Sequence, residues 1–466
     1  MIDRIDIDSG IFRAYDIRGI VTRNFTPAVL REIGKALGSF AQEAGTNQVV
    51  VARDGRLSGP ELLAALNDGI LNTGCDVVDI GLAPTPVLYF SIKYLGLSTG
   101  FVLTGSHNPP DYNGLKIVLN DKTWYGEDIQ NIYHSTQKQA YKQGIGTYQT
   151  RKIIKDYINF IQQTISVPLF KSRPIKLVVD CGNGVTGVLA KDLYEALGAE
   201  VTALYAEVDG TFPNHHPDPG QPKNLEDLRR KVLELKADLG LAFDGDGDRL
   251  GIVDDQGKMI YPDRALMLFA REILKENPQE TVLFDVKSSP YLFPEISTYG
   301  GKPQICATGH SLIKAKMKET GAILAGEFSG HFFFKENHGF DDGLYAGAKL
   351  LQILAGQDLS ASALFQTIPE GAATPEIVIE IPESEKFKII QNLQKNANFP
   401  GARISTIDGL RVDFDAGFGL IRASNTTASL VLRFEGKTQA ALIEIQKQFK
   451  AYLLQLGYEE IGNFLR

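Results

Sequence analysis

Three α/β domains followed by a smaller α+β domain is the architecture that the sequence predicts. A strand–helix–strand–helix–strand rhythm occurs three times, each copy ending in a polar loop, and the rhythm stops after Gly371. The length, 466 residues, exceeds what one core supports and suggests roughly three or four domains.

Each copy opens with an apolar strand, at 48–54, 175–180 and 281–285. A helix-like stretch then runs to a glycine suited to a helix C-terminal cap, at Gly74, Gly198 and Gly301. Second strands follow at 76–80, 200–204 and 303–306. The third strand of each copy leads into a loop of its own. These loops hold Thr104-Gly105-Ser106-His107-Asn108-Pro109, Asp244-Gly245-Asp246-Gly247-Asp248-Arg249 and Gly326-Glu327-Phe328-Ser329-Gly330-His331. In α/β units with mixed, largely parallel sheets, ligands gather beyond the carboxyl ends of the strands, where all three loops fall. The copies are therefore expected to contribute one loop each to a central cleft.

The remainder breaks the pattern. A strand at 376–381, a helix at 384–398, strands at 408–414 and 428–434 and an amphipathic helix at 437–456 predict the α+β domain. Boundaries are expected near 150, 254 and 370, giving domains 1–150, 151–254, 255–370 and 371–466.

Composition narrows the class of function. A hydrophobic fraction of 43% with 22% charged residues is that of an ordinary globular protein. No apolar run approaches the ~20 residues of a membrane helix, and the charged stretch 1–8 lacks the apolar core of a signal peptide. Cys75, Cys181 and Cys306 are widely spaced and odd in number, so neither a disulfide framework nor a CxxC metal pair is expected. A cytoplasmic monomer is the expectation. The net charge of −8 argues against nucleic-acid binding, and it requires a local cluster of cations for any anionic substrate.

The first loop follows the buried strand 100–103. Gly105, Asn108, Pro109, Pro110, Asn113 and Gly114 disfavour helix and strand alike, so Ser106 and His107 are expected on a tight loop at a strand end. With Lys116 ten residues on, this pattern suits a nucleophile among proton carriers; for a Ser-His pair alone, a Pro-rich surface turn is the plainer reading. In the second loop Asp244, Asp246 and Asp248 alternate with glycines. Alternate residues of extended chain point to one side, so the carboxylates can converge. Three hard oxygen donors with open positions suit Mg²⁺ shared with phosphate and water. An EF-hand does not fit, because its sixth position is Arg249 and its twelfth Asp255.

Glu327 and Ser329 of the third loop can hydrogen-bond adjacent sugar hydroxyls. Arg422, Ser424, Asn425 and Thr426 offer a guanidinium with hydroxyl and amide donors, a recipe for a phosphate cradle. Tyr15 and Arg18 sit in a non-periodic, glycine-ended segment. Lys116, Arg249, Lys287 and Arg422 could complete the required positive cluster, and His310 offers an imidazole on a loop. His215 and His216 lie in a Pro-rich stretch that reads as a rigid loop without assigned chemistry.

Taken together, and in order from residue 12 to residue 434, these motifs resemble the α-D-phosphohexomutase superfamily. The likeness is greatest to its bacterial phosphomannomutase/phosphoglucomutase branch. The serine, metal and phosphate loops match the family pattern; Phe328 stands where the family usually has Met, and Lys287-Ser288-Ser289 where it often has Lys-Cys-Thr. The resemblance implies a heart-shaped, four-domain isomerase around a deep cleft. It implies a phosphate on Ser106 that passes to a hexose 1- or 6-phosphate, giving a hexose 1,6-bisphosphate that turns and returns its other phosphate. It implies Mg²⁺ held by Asp244, Asp246 and Asp248 and touching phosphorylated Ser106. Arg18, Lys116, His310 and Arg249 are implied to stabilise the transition state or carry the proton, in no fixed ranking. Tyr15, Lys287, Glu327, Ser329 and His331 would bind the sugar phosphate, and the Arg422 loop the phosphate that does not react.

Three rivals are weighed against this. A Mg²⁺-dependent sugar phosphatase would use Asp244 as nucleophile, as in the haloacid-dehalogenase phosphatases, but that pattern wants Thr or Val where Asp248 stands and leaves Ser106 unused. A non-catalytic sugar-phosphate sensor would need neither nucleophile nor metal ligands. Phosphoglucosamine mutase, in the same superfamily, usually has Ala at the Gly105 position and Gln at the Phe328 position.

Overall fold

The computed structural model describes residues 5–165, 173–425 and 427–465. Thr426 of the expected phosphate loop lies outside them. The chain forms two compact units, Met1–Pro262 with Ser329–Phe365, and Asp263–Phe328 with Gln366–Arg466.

The first unit carries two mixed sheets. One runs in the order Ile17–Ile20, Tyr112–Leu119, Gly100–Leu103, Gln48–Arg53, Asp76–Leu82, Tyr148–Thr150. Its last four strands are parallel, and the hairpin of Gly100–Leu103 with Tyr112–Leu119 is antiparallel. Val49, Val51, Phe101, Leu103 and Leu115 are fully buried beneath helices, each apolar side chain contributing about 1.5–3 kcal/mol. Thr26 caps the first long helix, Pro27–Glu43, by accepting from Val29 N, with Pro27 preset for the first turn. This helix meets Gly59–Leu71 at close range. A Cβ on Gly34 would lie 2.3 Å from the Leu66 carbonyl oxygen, and one on Gly69 2.1 Å from that of Arg31. The second sheet runs Met259–Ile260, Leu250–Asp254, Leu239–Phe243, Lys176–Asp180, Glu200–Leu204, with its last three strands parallel.

In the second unit Lys302–Cys306, Thr281–Asp285 and Leu324–Gly326 lie side by side and parallel. An antiparallel sheet follows in the order Ala372–Ala373, Ser429–Gly436, Gly417–Ala423, Leu410–Phe414, Arg403–Ser405, with Ile377–Glu380 also on Ser429–Gly436. Helices Glu383–Lys395 and Gln439–Gln455 cover its apolar face. Three α/β domains and a C-terminal α+β domain are thus the fold, as the rhythm predicts. Among the described residues no helix is long and apolar enough to cross a membrane.

Four local expectations need correction. Asn113 and Gly114, expected to disfavour regular structure, lie within the strand Tyr112–Leu119. Gly114 is tolerated because neighbouring backbones crowd it: a Cβ there would lie 2.5 Å from the Ile17 carbonyl oxygen. Arg18, expected in irregular chain, is in the edge strand Ile17–Ile20 opposite Gly114. The glycine that turns left-handed after the third copy's helix is Gly300 (φ +80°), whereas Gly301 is small to make room for Leu274. The expected strands of the last domain lack Gly417–Ala423, disguised in sequence by Gly417 and Gly419; Arg422 lies in it, ahead of the strand Ser429–Gly436.

Candidate active site

In the first unit the serine loop and the aspartate loop meet. The chain leaves Gly100–Leu103 through Thr104, whose hydroxyl accepts from Ser106 N at 2.8 Å. Ser106 takes φ +48°, a left-handed conformation unusual outside glycine and asparagine, and is buried. Its Oγ donates to Asp244 Oδ2 at 2.8 Å. The returning strand pairs Lys116 with Val102, which puts the lysine beside the same loop.

The three carboxylates converge, but through a turn and not through extended chain. Gly247 at φ +79° bends the loop, and Asp244 Oδ1 accepts from Gly247 N at 3.0 Å and Arg249 N at 3.2 Å. One oxygen from each of Asp244, Asp246 and Asp248 lies within 4.8 Å of the others, and all three residues are fully buried. Lys116 Nζ donates to Asp246 Oδ2 at 2.6 Å and also to Asp248 Oδ2. Thr85 Oγ1 adds a 2.5 Å hydrogen bond to Asp246. Among the described residues, Oδ1 of Asp246 and Oδ1 of Asp248 are buried without a hydrogen bond. Buried carboxylate oxygens of this kind are costly unless a cation takes them, so the donor set fits a hard divalent metal ion.

Burial and the neighbouring Asp246 and Asp248 push the Asp244 carboxyl well above its ordinary value. For Asp246 burial acts the same way, but Lys116 outweighs it and holds the carboxyl below its usual range. Burial disfavours the Lys116 ammonium, yet Asp246 and Asp248 more than offset this and raise its pKa. Its ammonium is the counter-ion of these two carboxylates. His107 is held well below the usual histidine range by burial, Arg249 and Arg18.

Arg249 Nε donates to His331 Nε2 at 3.1 Å, and the His331 Nδ1 lies 3.3 Å from Asp341 Oδ2 and 3.5 Å from Asp248 Oδ1. Arg18 reaches Asp16 at 2.7 Å and Asn108 of the serine loop at 2.5 Å. Tyr15 is half-buried in the bend before that strand. Ser329 belongs to this unit with His331, while Glu327 belongs to the other.

In the second unit Glu327 and Lys287 are buried at the ends of parallel strands. Burial opposes the Lys287 charge, but Glu376, Asp285 and Glu327 raise its pKa, and its Nζ lies 3.0 Å from Glu376 Oε1. Phe328 presents its ring to Arg433, whose guanidinium carbon is 3.7 Å from the ring centroid, and Lys287 Nζ lies 5.8 Å from it. Ser288 and Ser289 serve the frame: Ser288 Oγ donates to Asp285 at 2.6 Å and Ser289 Oγ to Glu435 at 2.7 Å. His310, expected on a loop, is buried at the start of helix His310–Thr320. Asp408 ties this turn to the phosphate loop, accepting from Thr308 N at 2.9 Å and Arg422 Nε at 3.1 Å. Ser424 accepts from Thr427, and buried Lys386 donates to the Ser424 and Thr427 carbonyls. Asn425 follows on the same bend.

Comparisons with known proteins agree across the chain. The phosphoglucomutase/phosphomannomutase family matches in four parts: α/β/α domain I over 9–143, domain II over 155–257, domain III over 261–371, and the C-terminal domain over 376–451. The chain belongs to this family of isomerases. A phosphomannomutase/phosphoglucomutase of Pseudomonas aeruginosa is 51% identical over 448 residues, 96% of each chain. A phosphoglucomutase of Neisseria meningitidis is 50% identical over 455 residues, covering 96% of this chain and 97% of that one. The solved phosphoglucomutase/phosphomannomutase family protein of Burkholderia thailandensis superposes with a TM-score of 0.91 at 48% identity, over 96% of this chain and 98% of that one. These mutase names do not favour the phosphatase reading.

Sequence reasoning missed several residues that touch the loops: Asp54, Arg56, Thr85, Asp341, Lys386 and Asp408. One signal was present. The first strand of every copy ends at an aspartate, Asp54, Asp180 and Asp285. Asp54 accepts from Gly105 N at 3.1 Å and Asp285 from Phe328 N at 3.2 Å, so in two copies this aspartate grips the third-strand loop.

Proposed function

We propose that the chain interconverts hexose 1-phosphates and hexose 6-phosphates, of mannose, glucose or both, through phosphorylated Ser106 and a hexose 1,6-bisphosphate. The observation that carries this reading is the buried Ser106 Oγ, 2.8 Å from Asp244 of the carboxylate triad. In the first half-reaction the phosphorus–Oγ bond breaks while a phosphorus–oxygen bond forms to the free sugar hydroxyl. The sugar hydroxyl gives its proton to a base and Oγ takes up one proton as its bond to phosphorus breaks, so protons balance and the serine hydroxyl is restored. After the bisphosphate turns end for end, its other phosphate returns to Oγ by the reverse step, so the sum is an isomerisation. Mg²⁺ held by Asp244, Asp246, Asp248 and the phosphorylated Ser106 would neutralise charge on the transferring group.

The chain's own groups divide the remaining work. Arg18, Lys116, Arg249 and His310 are the candidates for charge stabilisation and proton transfer. The raised pKa of Lys116 favours a charge-stabilising role for it. Tyr15, Lys287, Glu327, Ser329 and His331 are proposed for the sugar phosphate, and Arg422, Ser424, Asn425 and Thr426 for the phosphate that does not react. Fixed binding of that remote phosphate turns binding energy into positioning of the reacting one. The buried free thiols Cys75, Cys181 and Cys306 support a reducing, cytoplasmic setting, and a monomer suffices for this chemistry.

The test is turnover of glucose 1-phosphate and mannose 1-phosphate with Mg²⁺ and a trace of hexose 1,6-bisphosphate. Formation of the 6-phosphates is expected. Release of inorganic phosphate that survives Ser106→Ala would instead mark a phosphatase.

A further inference from the structure

Beneath the serine loop lies a charged side chain that the reaction scheme does not use. Arg56 is 1% exposed, and all of its hydrogen-bonding nitrogens are engaged. Nη1 donates to the carbonyls of Pro109 at 2.5 Å and Tyr112 at 2.9 Å; Nη2 donates to those of Ser106 at 2.9 Å and Asn108 at 2.7 Å. Nε reaches Asp54 Oδ2 at 3.2 Å, and the same carboxylate accepts from Thr104 Oγ1 at 2.8 Å and Gly105 N at 3.1 Å. One guanidinium with its counter-ion therefore grips the loop from Thr104 to Tyr112. A planar fork of donors can do this; an ammonium, with three donors at one point, cannot span the same four carbonyls.

The fit is tight on both sides. A Cβ on Gly105 would lie 2.4 Å from the Arg56 Nε and Cζ, so any larger residue there displaces the guanidinium. On the other side the Phe212 ring lies over it, 5.4 Å from centroid to Cζ. Phe212 belongs to the histidine- and proline-rich stretch that the sequence marks as rigid but leaves without a task. Asp209 holds the start of this stretch, accepting from Thr211 N at 2.9 Å and from Phe212 N through its carbonyl at 3.0 Å. The metal loop rests on the same stretch, since a Cβ on Gly245 would sit 3.6 Å from Pro217 Cγ.

We propose that Arg56, backed by Phe212, is a positioning residue for phosphoryl transfer. It holds the serine loop in the left-handed conformation at Ser106 that aims Oγ at Asp244, and it touches neither substrate nor metal. The proposal rests on the mutase reading above. Because sugar recognition is assigned to other residues, loosening this grip misplaces the phosphoryl carrier while leaving substrate affinity intact.

The experiment compares full-length wild type, Arg56→Lys and Phe212→Leu with glucose 1-phosphate, Mg²⁺ and glucose 1,6-bisphosphate. The rate at which the bisphosphate phosphorylates Ser106 in dephosphorylated enzyme is measured alongside. Arg56→Lys is expected to lose about 10²-fold in kcat with KM within about threefold, and Ser106 phosphorylation to slow by the same factor. Phe212→Leu keeps every hydrogen bond and is expected to lose roughly three- to tenfold in kcat, again with KM held. If Arg56→Lys does not fold, Phe212→Leu decides. Wild-type kcat in the folded variants, or a loss confined to KM, overturns the role of Arg56 and leaves the mutase reading standing. A wild type that neither turns over nor takes phosphate on Ser106 overturns the mutase reading and this proposal with it.

Discussion

Lys116 and Asp246 are 130 residues apart in the chain and 2.6 Å apart in the fold, joined as a buried ion pair. The lysine also donates to Asp248, so one ammonium answers two of the three carboxylates expected to hold metal. A divalent ion bound here would relieve the same carboxylate repulsion that Lys116 now offsets.

Replacing Lys116 by Met should therefore expose that repulsion. Breaking a buried pair of this kind costs about 3–5 kcal/mol, and added Mg²⁺ should restore more stability to the variant than to wild type. Thermal unfolding of both proteins in EDTA and in Mg²⁺ checks this; equal gains would contradict it.

Asp246 supplies a buried oxygen without a hydrogen bond among the described residues. Asp246→Asn removes a charge from the ligand set, and the Mg²⁺ needed for half-maximal turnover should rise by roughly ten- to a hundredfold. A titration of turnover against Mg²⁺ reads the change directly.

Phe328 stacks on Arg433, which is itself held by Asp263 at 3.0 Å and Glu435 at 3.3 Å. Phe328→Met should cost about 0.5–2 kcal/mol through the lost ring–cation contact. Turnover should stay within about threefold of wild type, because Glu327 keeps its place. Denaturant unfolding and steady-state kinetics on the one variant separate the two effects.

His215 Nε2 lies 3.0 Å from the buried Asp180. Burial opposes protonation, but the Asp180 contact outweighs it and raises the histidine pKa above 6.5. Stability from this pair is fully present below the ordinary histidine pKa and is lost as pH rises through the raised one. As pH rises from about 6.5, the ordinary histidine value, through the raised one, the unfolding midpoint of wild type should fall more steeply than that of His215→Gln. Parallel slopes would contradict the assignment.

How much of this was legible in the sequence follows from what is local. The repeating strands, the serine loop and the aspartate loop are contiguous, so their residue types carried the fold and the triad. The strand holding Arg422 was hidden because Gly417 and Gly419 break its pattern; Gly419 is small because Phe434 and Phe449 crowd it. Partners such as Thr85, Asp341 and Arg56 are single polar residues without a motif. They acquire meaning only when the sheets bring them to loops distant in sequence.

The central claim is that Ser106 is the resident phosphoryl carrier. Intact-mass measurement after incubation with glucose 1,6-bisphosphate and Mg²⁺, followed by proteolysis and peptide mass analysis, tests it most directly. One added phosphate on the peptide containing Ser106, discharged when glucose 1-phosphate or glucose 6-phosphate is added, is the expected result. A protein that stays unmodified at Ser106 while it interconverts the two phosphates would contradict the account.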